Sequence, residues 1–263
     1  MTPTTFAAIA SLVQARAGIV LTPDKDYMLK ARLAPLAEKL GLVGLEELAR
    51  RLSTAEAEDL RRQVVEALTT NETSFFRDGA PFDHLKAELA RLAKLRPRGE
   101  VKLWSAACST GQEAYSVAML AEGIPGLSLS ILGTDLASAV VERAREGLYS
   151  QFEVQRGLPA ALLVKHFRKE GQMWRISEQL RARCRFEVGN LLAPFTHLPR
   201  FDVILCRNVL YYFAPPTRRD ILARMIERLA PDGLLYLGST ESVAGLDLPL
   251  QEAAGARGAY RRA

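Results

Sequence analysis

Several short stretches of this 263-residue chain carry side chains whose types and spacing could do chemistry. AACSTGQEAYS (106–116) closes an apolar run and opens into a helical pattern. Its small residues permit close backbone approach, but Gly111 is its only glycine, where a dinucleotide-binding turn needs G-x-G-x-x-G. Glu113 stands where a pyrophosphate would be repelled, so the turn suits a cation or an ammonium group. Taken alone, Glu113 reads equally as a first-turn helix carboxylate favoured by the macrodipole. Asp135 ends the next apolar run, 24 residues past Gly111, where an acid accepts hydrogen bonds from both hydroxyls of a ribose. Its plainer reading is a cap for the helix beginning near Ser138. Asn190 and Leu191 could read the edge and face of an adenine, and Arg207, Asn208, Tyr211 and Tyr212 follow a further apolar run. Together these make an adenosine pocket whose remaining ligand portion is a cation and an amino acid. S-adenosylmethionine (SAM) has that shape.

A second stretch, TTNETSFFRD (69–78), admits three readings. Asn71-Glu72-Thr73 matches a glycosylation acceptor. Thr69 and Glu72 have the spacing of a helix capping box. The same residues also gather an amide, hydroxyls, two phenylalanines and an arginine that could dress a ligand site. The glycosylation reading falls, because the N-terminus lacks the basic region of a signal peptide. Cys108, Cys184 and Cys206 are far apart and odd in number, which points to reduced thiols in a cytoplasmic protein and to no zinc site.

The elements that must position these residues follow from hydrophobic period. Helical spacing predicts helices over 4–16, 25–40, 45–52, 56–68 and 82–95, the last followed by the breaker RPRGE (96–100). From Val101 short apolar runs alternate with helical patterns. Strands are expected at 101–107, 129–135, 185–190, 201–208 and 233–239, with helices at 112–122, 138–146 and 216–229. Such alternation implies right-handed crossovers and a mostly parallel sheet. The tail predicts an antiparallel hairpin at the sheet edge, near 249–250 and 259–261. Residues 147–184 break the rhythm and read as an insertion with a helix at 159–167 and short strands around 171–176. The expected division is therefore a helical domain at 1–78, a connecting helix and linker at 79–100, and an α/β domain at 101–263. No apolar run approaches the roughly 20 residues that span a bilayer.

The composition is 48% hydrophobic and 25% charged, ordinary for a globular protein. The net charge of +5 is unevenly placed. Residues 1–78 hold ten Lys/Arg against eleven Asp/Glu, whereas 147–188 hold eight against four, an excess able to steer an acidic partner. A nucleic-acid groove would need a denser basic run with interleaved aromatics, and a SAM methyltransferase acting on a nucleic acid or a small molecule would carry an N/D-P-P-Y-type motif after the fourth strand to hold an amino group. The chain has RNVLYYF (207–213) there instead.

RAGIVL (16–21), TTNETSFFRD (69–78), WSAACSTGQEAYS (104–116), Asp135, GNLL (189–192) and CRNVLYYF (206–213) run in an order that resembles the SAM-dependent chemotaxis receptor glutamate methyltransferases of the CheR type. The resemblance implies a small all-helical N-terminal domain and a Rossmann-like methyltransferase domain with a small inserted β-subdomain. It implies that Asn71, Thr73 and Arg77 line the cofactor site from the interdomain side, Glu113 lies near the methionyl part, and Asp135 holds the ribose. Asn190, Leu191, Arg207 and Asn208 would complete the adenosine pocket, and Tyr212 would sit close to the transferring methyl. S-adenosylhomocysteine is the implied product, and the cytoplasmic helical domain of chemoreceptors the implied partner of a monomeric enzyme. Two departures bear on recognition. RLAPLAEKLGL (32–42) keeps Arg32 and Lys39 but is less basic than the receptor-docking helix of well-known members. KEGQMW (169–174) is shorter than the loop of members that bind a receptor tail, so recognition without that tether is expected. On this reading Arg77 orients the acceptor glutamate: Arg77→Ala should lose most turnover in a methyl-transfer assay while the fold survives, and near-normal transfer would remove Arg77 from the mechanism.

Overall fold

The computed structural model describes residues 1–263. The chain divides into two compact units, residues 1–70 with 212–217, and residues 71–211 with 218–263. No helix is long and apolar enough to cross a membrane.

The first unit is built from four helices, α1 (Pro3–Ala17), α2 (Asp26–Lys39), α3 (Gly44–Leu52) and α4 (Glu58–Leu68). Thr2 starts α1 by accepting the Thr5 N–H on its hydroxyl at 3.2 Å, and Gly18 stops it in the left-handed conformation at φ 73°. Thr5, Ile9, Val13 and Ala17 form its buried stripe, while Phe6 and Ala10, expected on that face, sit at its margin. Leu29, Leu33, Leu48, Val64 and Leu68 complete the core. Pro35 is carried on the exposed side of α2, so its ring meets water rather than the core. Arg32 lies half-buried on α2. Its guanidinium donates to the carbonyls of Leu68 (3.1 Å) and Thr69 (2.7 Å) and to the Thr70 hydroxyl (3.1 Å). It therefore caps the end of α4, where free carbonyls need donors, and leaves Lys39 as the exposed cation of the stretch.

The second unit opens with residues 71–79 and α5 (Ala80–Leu95), then alternates β1 (Glu100–Ala106), α6 (Gln112–Ala121), β2 (Ser128–Asp135) and α7 (Ser138–Glu146). The insertion follows: β3 (Leu148–Ser150), α8 (Gln151–Gln155), α9 (Ala160–His166), β4 (Phe167–Glu170), β5 (Met173–Ile176) and α10 (Glu178–Arg181). The remainder is β6 (Cys184–Val188), β7 (Phe201–Cys206), α11 (Pro215–Arg228), β8 (Leu229–Leu237), β9 (Leu250–Glu252) and β10 (Ala259–Arg262). The large sheet has the order β6-β2-β1-β7-β8-β10-β9, with the first five strands parallel and the tail hairpin antiparallel. Every residue of β7 is buried, the pattern of a strand covered on both faces. β8 starts earlier than the apolar run at 233–239 predicts, because a register shift beside Phe201 and Val203 lets Pro231 enter a bulged strand. The insertion forms its own antiparallel sheet, β3-β5-β4.

The capping-box expectation fails. Thr69 ends α4, its hydroxyl donating to the Glu66 carbonyl at 2.7 Å, and the next helix begins only at Ala80. Glu72 pairs instead with Arg156.

At the N-terminal edge of the sheet, Arg96 ties three segments together. It donates to Asp202 Oδ1 and Asp232 Oδ1, both at 2.6 Å, and Asp202 Oδ2 accepts the Lys102 N–H at 2.8 Å. The hydrogen bond from Arg96 holds the Asp232 carboxyl below its usual range. A carboxylate lowered in the folded state contributes stability above its unfolded pKa, roughly 3.9 for aspartate, and loses it as pH falls through the folded value. Arg96→Ala, which strands the largely buried Asp202, should cost about 3 kcal/mol at pH 7. Urea titrations at pH 7 and pH 3 should show the gap to wild type narrowing in acid.

Candidate active site

The order of the parallel strands reverses between β1 and β7, and in such sheets ligands bind beyond the strand carboxyl ends at that point. The loops reaching this edge are 107–111 after β1, 136–137 after β2, 189–195 after β6 and 207–211 after β7.

The loop after β1 is tightly wound, with Ala107 (φ 57°), Ser109 (φ 50°) and Gly111 (φ 88°) all left-handed. Two of these are not glycine, and such residues persist only where neighbours hold them. The Cys108 N–H donates to Thr134 O (2.9 Å) and the Ser109 N–H to Asp135 Oδ2 (2.8 Å). Asp135 Oδ1 also accepts the Ala137 N–H at 3.0 Å. The N-cap position of α7 is taken by Ala137, which makes no side-chain cap, so Asp135 does not stand at that position. The carboxylate is instead pinned between the loops that follow β1 and β2.

Residues 71–79 lie against this loop. The Ser109 hydroxyl donates to Asn71 O at 2.6 Å, and the Phe76 N–H donates to Ser116 Oγ at 3.0 Å. Phe75 is fully buried, edge-on to Tyr149 at 5.1 Å and to Phe167 at 5.6 Å. Phe75 thus anchors the segment to the inserted sheet, and Tyr149 Oη donates to Thr110 O at 2.7 Å. Phe76 and Asp78 turn the chain through the left-handed region at φ 48° and 69°. Asn71, Thr73 and Arg77 are half-buried, and Arg77 Nη1 donates to Glu72 O at 3.2 Å.

Arg207 is the most enclosed charge of the site, its side chain 2% exposed. Nη1 donates to Glu113 Oε2 (3.0 Å), and Nη2 donates to Asp78 Oδ2 (2.9 Å) and Arg77 O (2.8 Å). Its guanidinium carbon lies 5.5 Å from the Phe82 ring centre. The other oxygen of Glu113 accepts the Ser105 hydroxyl at 2.7 Å. Arg207, Glu113 and the backbone of Arg77 therefore join one network, and Ser109 links Asp135 to Asn71.

The other expected residues are placed as follows. Asn190 folds its own loop, Oδ1 accepting the Leu192 N–H at 2.9 Å, and Leu191 is buried. Arg224 of α11 holds this loop through the carbonyls of Leu191 (3.0 Å), Leu192 (2.9 Å) and Ala193. Asn208 adopts φ 61°. Tyr212 belongs to the first unit, where its carbonyl accepts the Val20 N–H at 2.9 Å. Sequence reading missed Arg224, Asp78 and Glu241. Their signal is weak, because each acts on backbone groups or ions distant along the chain. Burial raises the thiols of Cys108 and Cys206, and that of Cys184 to about 12, so none is an activated nucleophile.

The acceptors present fit a sulfonium amino acid joined to a ribose better than a dinucleotide: two fixed carboxylates, Glu113 and Asp135, and no glycine cradle for a pyrophosphate. Comparison with known proteins agrees. The all-alpha domain of the CheR methyltransferases matches residues 4–69, and their SAM binding domain matches residues 71–258. The chain belongs to the CheR methyltransferase family. Chemotaxis protein methyltransferase Cher2 of Pseudomonas putida is 36% identical over 250 residues, 92% of this chain and 91% of its own length. Chemotaxis protein methyltransferase 1 of Pseudomonas aeruginosa is 37% identical over the same shares. The chemotaxis protein methyltransferase of Escherichia coli is 35% identical over 92% of this chain and 85% of its own. This CheR protein is a SAM-dependent protein-glutamate O-methyltransferase.

Gly157, in the insertion, tests whether residues 71–79 must stay in place. It sits at φ 87°, and a Cβ there would fall 2.1 Å from Phe75 O. Gly157→Ala should displace that segment and lower kcat/KM by about tenfold or more, measured against an unfolding curve that remains cooperative.

Proposed function

We propose that the edge formed by residues 71–78, 107–113, 135, 190–191 and 207–208 holds SAM and presents its methyl group to a glutamate side chain of a chemoreceptor. The carrying observation is the double engagement of Ser109, whose N–H fixes Asp135 and whose hydroxyl fixes Asn71. One loop thus sets the distance between the ribose acceptor and the segment bearing Thr73 and Arg77. Asp135 takes the ribose hydroxyls, and Glu113, oriented by Arg207 and Ser105, faces the methionyl ammonium. Asn190 and Leu191 read the adenine edge and face, with Arg207 and Asn208 closing the adenosine side.

SAM held there would supply a methyl carbon already activated on a sulfonium: the acceptor carboxylate oxygen would form the new C–O bond as the C–S bond breaks, its electron pair leaving with the sulfur of S-adenosylhomocysteine. The protein needs no general base, because a glutamate carboxylate, with a pKa of about 4.3, is ionised at neutral pH. Its work is in-line positioning and partial desolvation of that carboxylate. Arg77 orients the carboxylate, and Tyr212 steers the acceptor toward the methyl.

The partner in this reading is the cytoplasmic helical domain of a chemoreceptor, met by a monomer working in the cytoplasm. The functional division is a helical domain at 1–78, a connector at 79–100 and the catalytic domain at 101–263. Recognition without a receptor-tail tether is supported by the β4–β5 hairpin, which turns at Gly171 and Gln172 alone. Incubation with methyl-labelled SAM and receptor-containing membranes tests the chemistry. A methyl ester releases volatile methanol in base, and the expected label is base-labile. Base-stable label would contradict glutamate as the acceptor.

A further inference from the structure

The loop after β7 owes its shape to a carboxylate outside every motif considered so far. Glu241 Oε1 accepts the N–H groups of Val209 (2.8 Å) and Leu210 (2.6 Å). Its Oε2 accepts those of Asn208 (2.8 Å) and Gly238 (2.7 Å). Three successive amides converge on one anion because Asn208 is left-handed, φ 61°, the arrangement that makes a backbone nest. Here the protein's own side chain fills it. All four bonds are charge-assisted and so stronger than neutral ones. The Glu241 N–H donates to Gly238 O at 2.9 Å, fastening the carboxylate to the end of β8. Gly238 leaves no spare room: a Cβ there would stand 2.7 Å from Glu241 Oε2, 2.7 Å from Asn208 Nδ2 and 2.9 Å from Asn208 N.

We propose that Glu241 is a positioning residue for methyl transfer, the internal anion that holds residues 208–210 and through them sets Arg207 and Asn208 at the cofactor edge. The inference rests on the reading of the 207–208 loop as part of the SAM site. Glu241 touches neither cofactor nor acceptor in this role. It fixes the backbone from which Arg207 reaches Glu113 and Asp78. A neutral amide at 241 would offer one accepting oxygen to four donors, and the left-handed turn at Asn208 would lose its reason to persist.

The test uses the full chain with Glu241→Gln, and Gly238→Ala as a second disturbance that keeps the carboxylate. Amide hydrogen exchange at 208–210 and 238 reads the loop, calorimetric titration with S-adenosylhomocysteine reads the cofactor edge, and steady-state kinetics separate kcat from KM. Both variants are expected to unfold cooperatively and to exchange faster at those amides. They should bind S-adenosylhomocysteine about tenfold more weakly and lose kcat/KM by roughly 10- to 100-fold, mostly through KM for SAM. If Glu241→Gln fails to fold, Gly238→Ala decides. Unchanged exchange at 208–210 overturns the inference, and so does a loosened loop with wild-type affinity and kinetics. Asn208→Ala, titrated in parallel, separates the two claims. Weakened binding there with no effect of the Glu241 and Gly238 changes would fault only the positioning role, whereas unaltered binding would fault the reading of the loop itself.

Discussion

One buried guanidinium organises the candidate site. Arg207, just past the end of a strand covered on both faces, directs its two terminal nitrogens to Glu113 from the helix after β1 and to Asp78 and Arg77 O from the segment before α5. Burying a charge is costly unless it is paired and hydrogen-bonded. Both partner carboxylates must therefore stay in place for the core around Phe82 to tolerate the cation. That requirement runs in both directions. Arg207 fixes where residues 77–78 lie, and the phenylalanine anchor of the same segment, Phe75, fixes where they can move from.

The other edge loops are held on the same plan, by ions acting on backbone groups. Arg224 gathers the carbonyls of 191–193, Glu241 gathers the amides of 208–210, and Asp135 joins the loops after β1 and β2. Loops are ordinarily the mobile part of an α/β fold. Charged side chains directed at the backbone tie these loops down, which suits the proposed reaction, since methyl transfer asks for alignment rather than for proton transfer. The inserted sheet takes part in the same scheme: Tyr149 donates to Thr110 O while its ring supports Phe75.

Periodicity in the sequence made the skeleton legible. The apolar runs at 101–107, 129–135, 185–190 and 201–208 became the central parallel strands, and the helices of residues 1–70 followed their leucine spacing. β8 began earlier than its apolar run, since a bulge admitted a proline that pattern reading treats as a breaker. The capping-box spacing of Thr69 and Glu72 misled because a local motif cannot show that a helix has just ended there. The motif residues were visible as types, but their partnerships were not. Arg207 meets residues 94 and 129 positions away, and Glu241 looks in sequence like any polar loop residue. Arg32 shows the converse, a surface cation by pattern that turns inward to cap α4.

The central claim is that the fork of Arg207, rather than its charge alone, assembles the cofactor edge. Lysine keeps the charge but offers a single ammonium that cannot span two carboxylates and a carbonyl. Calorimetric titration of Arg207→Lys with S-adenosylhomocysteine tests this most directly. The account predicts binding weakened by about tenfold or more in a protein that still unfolds cooperatively. Wild-type affinity in that variant would contradict it.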